Sequence, residues 1–438
     1  MLRRVACFLA AFGLWFVCRD VAAQSFGIEL HNTLMPASGA MGGASLTQPQ
    51  DLLSALNGNP ATMMQFAGTQ FMFGGAWAEP AFDLNQSGNL LVPGVTPFSA
   101  ASGTPGTGAA NIGLTQNFSD SGLPVTIGLG LISNAGGGVD FRGVPQSNGT
   151  SSSLLNLQIT GGASAALTDR LSLGGTISLG EGFFDGPFVG AGAMVMAYGL
   201  RGAVGLNYAL TPATSVGMYY QTREDFVFED AIRLELFNGQ FTSVQDVRMD
   251  LPDNIGFGVA NSSLMDGRLL VAMDVLFKEW DNADLFKNIY HNQWVLQFGA
   301  QYSLNKLRLR AGYVWAENPI APLPGVTIGG VTLPGGLPAA NYLQSQMAII
   351  NQHRLSAGIG LVDVMPGLDM NLFAGTMLRA SQQLGDFTSV TVSGYWVGLG
   401  LTWRFGAGRA GACGCGGRCG GTCGCGGECT TCGETPSL

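Results

Sequence analysis

The sequence predicts an all-β fold: a 14-stranded antiparallel transmembrane β-barrel with an N-terminal hatch, or plug, inside its lumen. Three observations carry that expectation. The 438 residues are 46% hydrophobic and only 11% charged, whereas soluble domains carry about 25% charged residues. Apolar residues alternate with small or polar ones at a period of two in one segment after another, as in barrel strands. The chain opens on an export signal, yet no later apolar run reaches the roughly 18 residues of a membrane helix. A closed barrel is then the remaining way to satisfy a backbone in lipid.

The export signal spans 1–23. Arg3 and Arg4 form its basic end, 5–17 its apolar stretch, and Val21, Ala22 and Ala23 a small-residue cleavage site. The net charge is −9, and loss of the signal removes a net +2, leaving about −11. That argues against nucleic acid as a partner. No cysteine lies between Gln24 and Ala412, so the body of the protein needs no disulfide.

The alternation is clearest at 394–405. Tyr395, Val397, Leu399, Leu401, Trp403 and Phe405 share one face, opposite Gly394, Trp396, Gly398, Gly400, Thr402 and Arg404. Ten steps at about 3.4 Å, tilted about 45°, give an apolar band about 24 Å tall with aromatics at both ends. Leu200, Val204 and Leu206 oppose Arg201 and Asn207. Val271, Met273 and Val275 oppose Asp274 and Lys278. Leu307, Leu309 and Tyr313 oppose Arg308 and Arg310.

Short turns are expected at 119–123, 168–169, 211–212, 263–267, 305 and 365–367. Long connections are expected at 81–109, 134–153, 182–195, 228–240, 281–291, 317–350 and 381–390. The two classes interleave, so the connections join an even number of strands, fourteen, across a barrel at 68–405. Residues 24–67 do not alternate. Asp51 to Leu56 suits a short helix ending at Asn57-Gly58, and Asn59 suits an N-cap with Pro60 at the first helical position. A lumen this wide is not filled by wall side chains alone, which places 24–67 inside as the hatch.

Ser38-Gly39-Ala40-Met41-Gly42-Gly43-Ala44, then Gly58-Asn59-Pro60-Ala61, Leu251-Pro252, Asp274 with Trp280, and Arg310-Ala311-Gly312-Tyr313 together resemble the FadL/TodX family of outer-membrane transporters. The resemblance covers roughly 26–405. It implies a fourteen-strand plugged barrel and passive uptake of long-chain fatty acids or other hydrophobic molecules. Cargo would land on an outer apolar groove, move to a pocket beside the hatch, and leave when the hatch shifts, sideways into the membrane. For Asn59, Pro60 and Ala61 it implies a role in hatch geometry. The implied setting is the bacterial outer membrane, with its lipid and the barrel-assembly machinery as partners and a hydrophobic small molecule as substrate.

Phe183, Phe184, Phe188, Met194 and Met196 cluster in and beside the third long connection. An apolar patch in water is costly, so they are a candidate groove for incoming substrate, or else pack against neighbouring loops or lipid. Arg201, Lys278, Arg308 and Arg310 are candidate lumen contacts for a substrate carboxylate, or else pair with lumen acids such as Asp274 and Asp369 or hold the plug.

An enzyme is not expected. His31, His291 and His353 are accompanied by neither a Gly-x-Ser-x-Gly elbow nor a metal-type His pair, and no cofactor is implied. A general diffusion porin for polar solutes is the competing reading; it would lack the hatch. The tail at 406–438 repeats Cys413-Gly-Cys415-Gly-Gly-Arg-Cys419 as Cys423-Gly-Cys425-Gly-Gly-Glu-Cys429. Disulfides, a soft-metal thiolate cluster and an unstructured extension all fit it. The strand count places it in the periplasm.

Overall fold

The computed structural model describes residues 29–186, 190–192 and 194–406. The export signal, the cysteine tail and Phe188 lie outside the described residues. Fourteen strands form the wall: β1 (Thr69–Gln86), β2 (Thr107–Asn117), β3 (Val125–Asp140), β4 (Ser151–Ala166), β5 (Leu171–Asp185), β6 (Val195–Ala209), β7 (Thr214–Gln221), β8 (Asp253–Leu264), β9 (Leu269–Glu279), β10 (Gln293–Leu304), β11 (Leu307–Ala316), β12 (His353–Met365), β13 (Leu368–Leu384) and β14 (Thr388–Phe405). Each pairs antiparallel with its sequence neighbours. β1 closes the ring by pairing with both β2 and β14, the latter from Thr69↔Phe405 to Gln86↔Thr388. A four-residue strand, Phe98–Ala101, extends the sheet beside the upper end of β1.

The outward face is the expected apolar band. Phe71, Phe73 and Trp77 on β1, and Tyr395, Val397 and Phe405 on β14, are exposed, while Met72, Ala76, Ala78 and Trp396 between them are buried. No helix among the described residues is long and apolar enough to cross a membrane.

All six short turns fall where the sequence places them. Four long connections differ. Those expected at 81–109 and 134–153 are shorter, 87–106 and 141–150, because β1 runs on to Gln86 and β3 to Asp140. The one expected at 381–390 is a three-residue tip, 385–387, because β13 and β14 stay paired up to Leu384↔Thr388. Polar residues there, such as Gln382 and Ser389, belong to strand ends that rise past the apolar band. The one expected at 228–240 runs from 222 to 252 and contains the paired strands Glu224–Leu234 and Gln245–Leu251. The sixth long connection carries a helix, α2 (Gly336–Gln346), that the sequence does not announce.

The hatch fills the lumen at the level of the band. Its helix α1 (Leu52–Asn57) is capped by Asp51, whose Oδ1 accepts the Ser54 N–H. A 3-10 turn over Pro60–Gln65 follows, capped by Asn59, whose Oδ1 accepts the Ala61 N–H. Above the hatch, at the long-loop end, lies the largest apolar core, which includes Phe82, Phe141, Phe184, Phe226, Trp280 and Tyr342.

Candidate functional site

The hatch is tied to the wall by groups from both sides. Glu29, at its start, is buried and meets Arg201 of β6 at 2.6 Å and Lys278 of β9 at 2.8 Å. Asn254 of β8 donates to the same carboxylate at 3.0 Å. Arg201 also donates to the carbonyls of Thr222 and Pro252, each at 2.6 Å. Burial pushes the Glu29 carboxyl up, but the charges of Arg201 and Lys278 outweigh it and hold the carboxyl well below the usual carboxylate range. His31 stacks on Tyr219 at 5.4 Å. Burial, followed by the charge of Lys278, pushes its imidazole down to about 3.

Most of the residues that carried the family resemblance, scattered in sequence, meet around the hatch; Leu251 and Trp280 lie in the apolar core above it. Asp274 of β9 accepts the N–H groups of Ser45 and Leu46 at 2.6 and 3.0 Å. Gly42 donates to Ser356 of β12 at 3.0 Å. The same turn presses on Gly312 of β11, where a Cβ would stand 2.0 Å from the Gly42 nitrogen. Asn59 Nδ2 donates to the carbonyls of Leu46 and Leu206, at 2.7 and 2.9 Å, joining hatch to β6. Ser172 of β5 donates to the Ala61 carbonyl at 3.0 Å.

The four candidate cations therefore divide. Arg201 and Lys278 hold a carboxylate of the chain itself. Arg310 donates to Gln301 and Asn371, both at 2.7 Å, and Arg308 donates to the carbonyls of Asn305 and Leu307. Asp369 pairs with Arg404 at 2.9 Å. The candidate groove divides too. Phe184 points inward and packs on Phe228 at 5.2 Å. Phe183 and Met196 are cross-strand partners on the outer face. Met194 is exposed. Strand alternation separates neighbours that look like one cluster in sequence. Glu29, Asn254, Glu224 and Arg354 escaped the sequence reading. For Arg354 the signal was there, in the alternation of His353, Arg354, Leu355 and Ser356.

Beside Phe184 is an apolar chamber of about 40 Å³, lined by Gly137, Gly138, Leu154, Phe184, Met249 and Phe286 among others. The strand Glu224–Leu234 turns Glu224, Phe226 and Phe228 into the barrel there. Glu224 accepts from Asn156 and Gln158, both at 2.7 Å, and burial pushes its carboxyl up. The wall next to this chamber is interrupted. β2 and β3 are paired only from Asn117↔Thr126 to Ile112↔Leu131. Ser133 still reaches Asn111 and the Ala110 carbonyl, and a bulge at Asn134 then turns β3 away. The two chains rejoin where Gly103 donates to the Asp140 carbonyl at 2.7 Å. On β1 the gap lies level with Gly74 to Ala78, within the apolar band.

No family model matches the sequence, and no curated protein matches it. Solved structures do. The Pseudomonas putida toluene transporter TodX superposes with a TM-score of 0.64 at 19% identity, over 86% of this chain and 99% of that one. The chain has a FadL/TodX-like fold. A Pseudomonas aeruginosa FadL homologue gives 0.63 at 15% identity, over 86% and 99%. The Ralstonia pickettii toluene transporter TbuX gives 0.61 at 17%, over 85% and 98%. In this FadL/TodX-like barrel the three histidines stand apart: His31 on Tyr219, His353 on Tyr313, and His291 on the Asn292 carbonyl. No cluster of metal-binding side chains occurs among the described residues.

Proposed function

We propose that this chain is a passive outer-membrane channel for hydrophobic small molecules, gated by its hatch. The observation that carries the reading is the apolar chamber lined by Gly137 and Gly138, which follow the bulge where β3 leaves β2, while the lumen below is filled. Cargo taken from the long-loop side reaches the chamber and leaves sideways through the gap, within the apolar band, without crossing water. Movement of the hatch, residues 24–67, controls how far the chamber extends into the lumen. The outward Phe183, Met194 and Met196 offer a first landing surface, and Phe188 belongs with them by sequence. The tail, 406–438, follows the short-turn end and lies in the periplasm.

TodX and TbuX are toluene transporters, which supports an apolar cargo; long-chain fatty acids are the other candidate class. The reaction is transfer without bond chemistry, so no catalytic group is assigned. The test is uptake of labelled toluene into proteoliposomes by the intact protein and by Gly137→Trp. The indole is larger than the chamber, so it should block the chamber and the adjoining gap and stop uptake, with heat-dependent migration on gels checking that the barrel stays intact. Undiminished uptake rules out this route. High, unselective ion conductance without apolar uptake would instead support the porin.

A further inference from the structure

The strand Glu224–Leu234 lies inside the barrel against β5 and β6, where glycines make room for it. A Cβ at Gly182 would meet the rings of Phe226 and Phe228, and one at Gly199 would meet Glu224 Cγ and Phe226. On β4 the inward residues run from Leu154, which lines the chamber, to Asn156 and Gln158, each one inward position nearer the hatch. Glu224 sits on these two. Its Oε2 accepts from both, at 2.7 Å, while among the described residues its Oε1 has no partner. The Oδ1 of Asn156 has none either. Both residues are fully buried. The two oxygens face one point: a Cβ at Gly180 would stand 1.9 Å from Glu224 Oε1 and 2.9 Å from Asn156 Oδ1.

Two enclosed acceptors aimed at one spot need a hydrogen between them. Turning the Asn156 amide over does not supply it, because its Nδ2 is already engaged with Glu224 Oε2. Arg201, the cation that acts on Glu224, directs its N–H groups at Glu29, Thr222 and Pro252 instead. That guanidinium repels an ammonium, and the pair of acceptors repels a carboxylate. A neutral hydroxyl meets both conditions, with one O–H to donate and no charge to carry out of water. The rings of Phe226 and Phe228, stacked at 5.8 Å, stand next to the pair, with Phe184 beyond them. They offer faces and edges for an aromatic ring.

We propose that Glu224 and Asn156 receive the hydroxyl of a phenol-type cargo, whose ring lies against Phe226 and Phe228. The inference rests on the apolar-cargo reading above and adds one neutral donor to that cargo; a plain hydrocarbon would leave both oxygens unpaired.

The test compares 4-methylphenol with 4-methylanisole, in which a methyl group replaces the hydroxyl hydrogen, as ligands of the full chain in detergent. The parent protein should bind the phenol about tenfold or more tightly than the ether. Glu224→Gln should bring that ratio close to one, because its amide N–H satisfies Asn156 and takes the place of the cargo's donor. 4-Methylbenzoate should bind the parent more weakly than the phenol does. A ratio near one in the parent would overturn the assignment in favour of a Glu224 that carries its own proton to Asn156. A ratio unchanged in Glu224→Gln, or tighter binding of the benzoate than of the phenol, would overturn it in favour of a structural carboxylate. The parent's ratio needs no variant, so it decides the matter even where gel migration shows that Glu224→Gln has not assembled. If the parent takes up neither toluene nor the two probes in proteoliposomes, the apolar-cargo reading itself falls. If it takes up toluene while the ratio is near one, only this inference falls.

Discussion

Glu29 of the hatch and Arg201 of β6 meet at 2.6 Å with both side chains shut away from solvent, so the plug is tied to the wall by an ion pair that water does not screen. Lys278 closes the other side of the same carboxylate at 2.8 Å. Glu29→Gln would leave two buried cations facing a neutral amide. Breaking a buried pair in this way costs about 3–5 kcal/mol. The variant should unfold at a lower temperature in detergent and pass more ions in planar bilayers. Unchanged conductance would mean that the lock does not hold the hatch.

The hatch lock should respond to acid through His31 before Glu29. The carboxyl of Glu29 is held below its unfolded value, near 4.3 for a free Glu. Its contribution is fully present above that value and is lost only as pH falls through the lower folded one. His31 is also lowered, to about 3, from an unfolded value near 6.5. Its neutral burial therefore stabilises above about 6.5 and loses about 1.4 kcal/mol per pH unit below it. Measured against His31→Phe, the parent's unfolding temperature should hold a constant offset from pH 8 to 6.5 and fall away from 6.5 to 4.5. An unaltered slope in His31→Phe would assign the acid response elsewhere.

The wall was legible and the lumen only partly so, for a physical reason. A strand with lipid on one side must repeat its pattern every second residue, so β14 from 394 to 405 could be read from the alternation of Tyr395, Val397, Leu399, Leu401, Trp403 and Phe405, although the turn before it could not. Inward positions obey no such rule. They are set by whatever part of the hatch arrives there, and that contact is between residues far apart in sequence. Gly42 and Ser356 are 314 positions apart. Arg201 and Lys278 could be read as inward-facing cations, but their partner Glu29 lies in a segment with no periodicity to place it. The helical cap at Asn59 was legible because capping is local; Asp51, read as the first residue of its helix, is instead that helix's cap. Phe183 and Phe184 show the opposite case: a cluster in sequence that alternation splits between two faces.

Contact between hatch and wall makes a prediction at Gly312. Its missing Cβ is what lets the Gly42 backbone approach, with 2.0 Å available to the nitrogen and 2.3 Å to the Met41 carbonyl carbon. Both neighbours are backbone, so neither can swing aside. Gly312→Ala should displace the hatch and cost about 1–3 kcal/mol, read as a lower unfolding temperature and a higher conductance. Gly161→Ala is the control, since a Cβ there meets nothing within 4 Å, and it should stay within about 0.5 kcal/mol. Equal effects at both positions would mean strand propensity, not the hatch, is being measured.

The opposed directions of Phe183 and Phe184 separate landing from passage. Phe184 packs on Phe228 and lines the chamber, so Phe184→Ala enlarges the space beside the gap. Phe183 faces out beside Met196, so Phe183→Ser changes only the outer surface. If the chamber sets what passes, Phe184→Ala should shift uptake towards bulkier apolar molecules, by about tenfold in the ratio of naphthalene to toluene. Phe183→Ser should lower the uptake of both alike and leave that ratio unchanged. Stability must be followed in parallel, because loss of a buried ring costs about 3–5 kcal/mol; heat-dependent migration on gels will report whether the barrel has stayed closed. A ratio that moves with Phe183→Ser and not with Phe184→Ala would place selection on the outer surface and leave the chamber as packing.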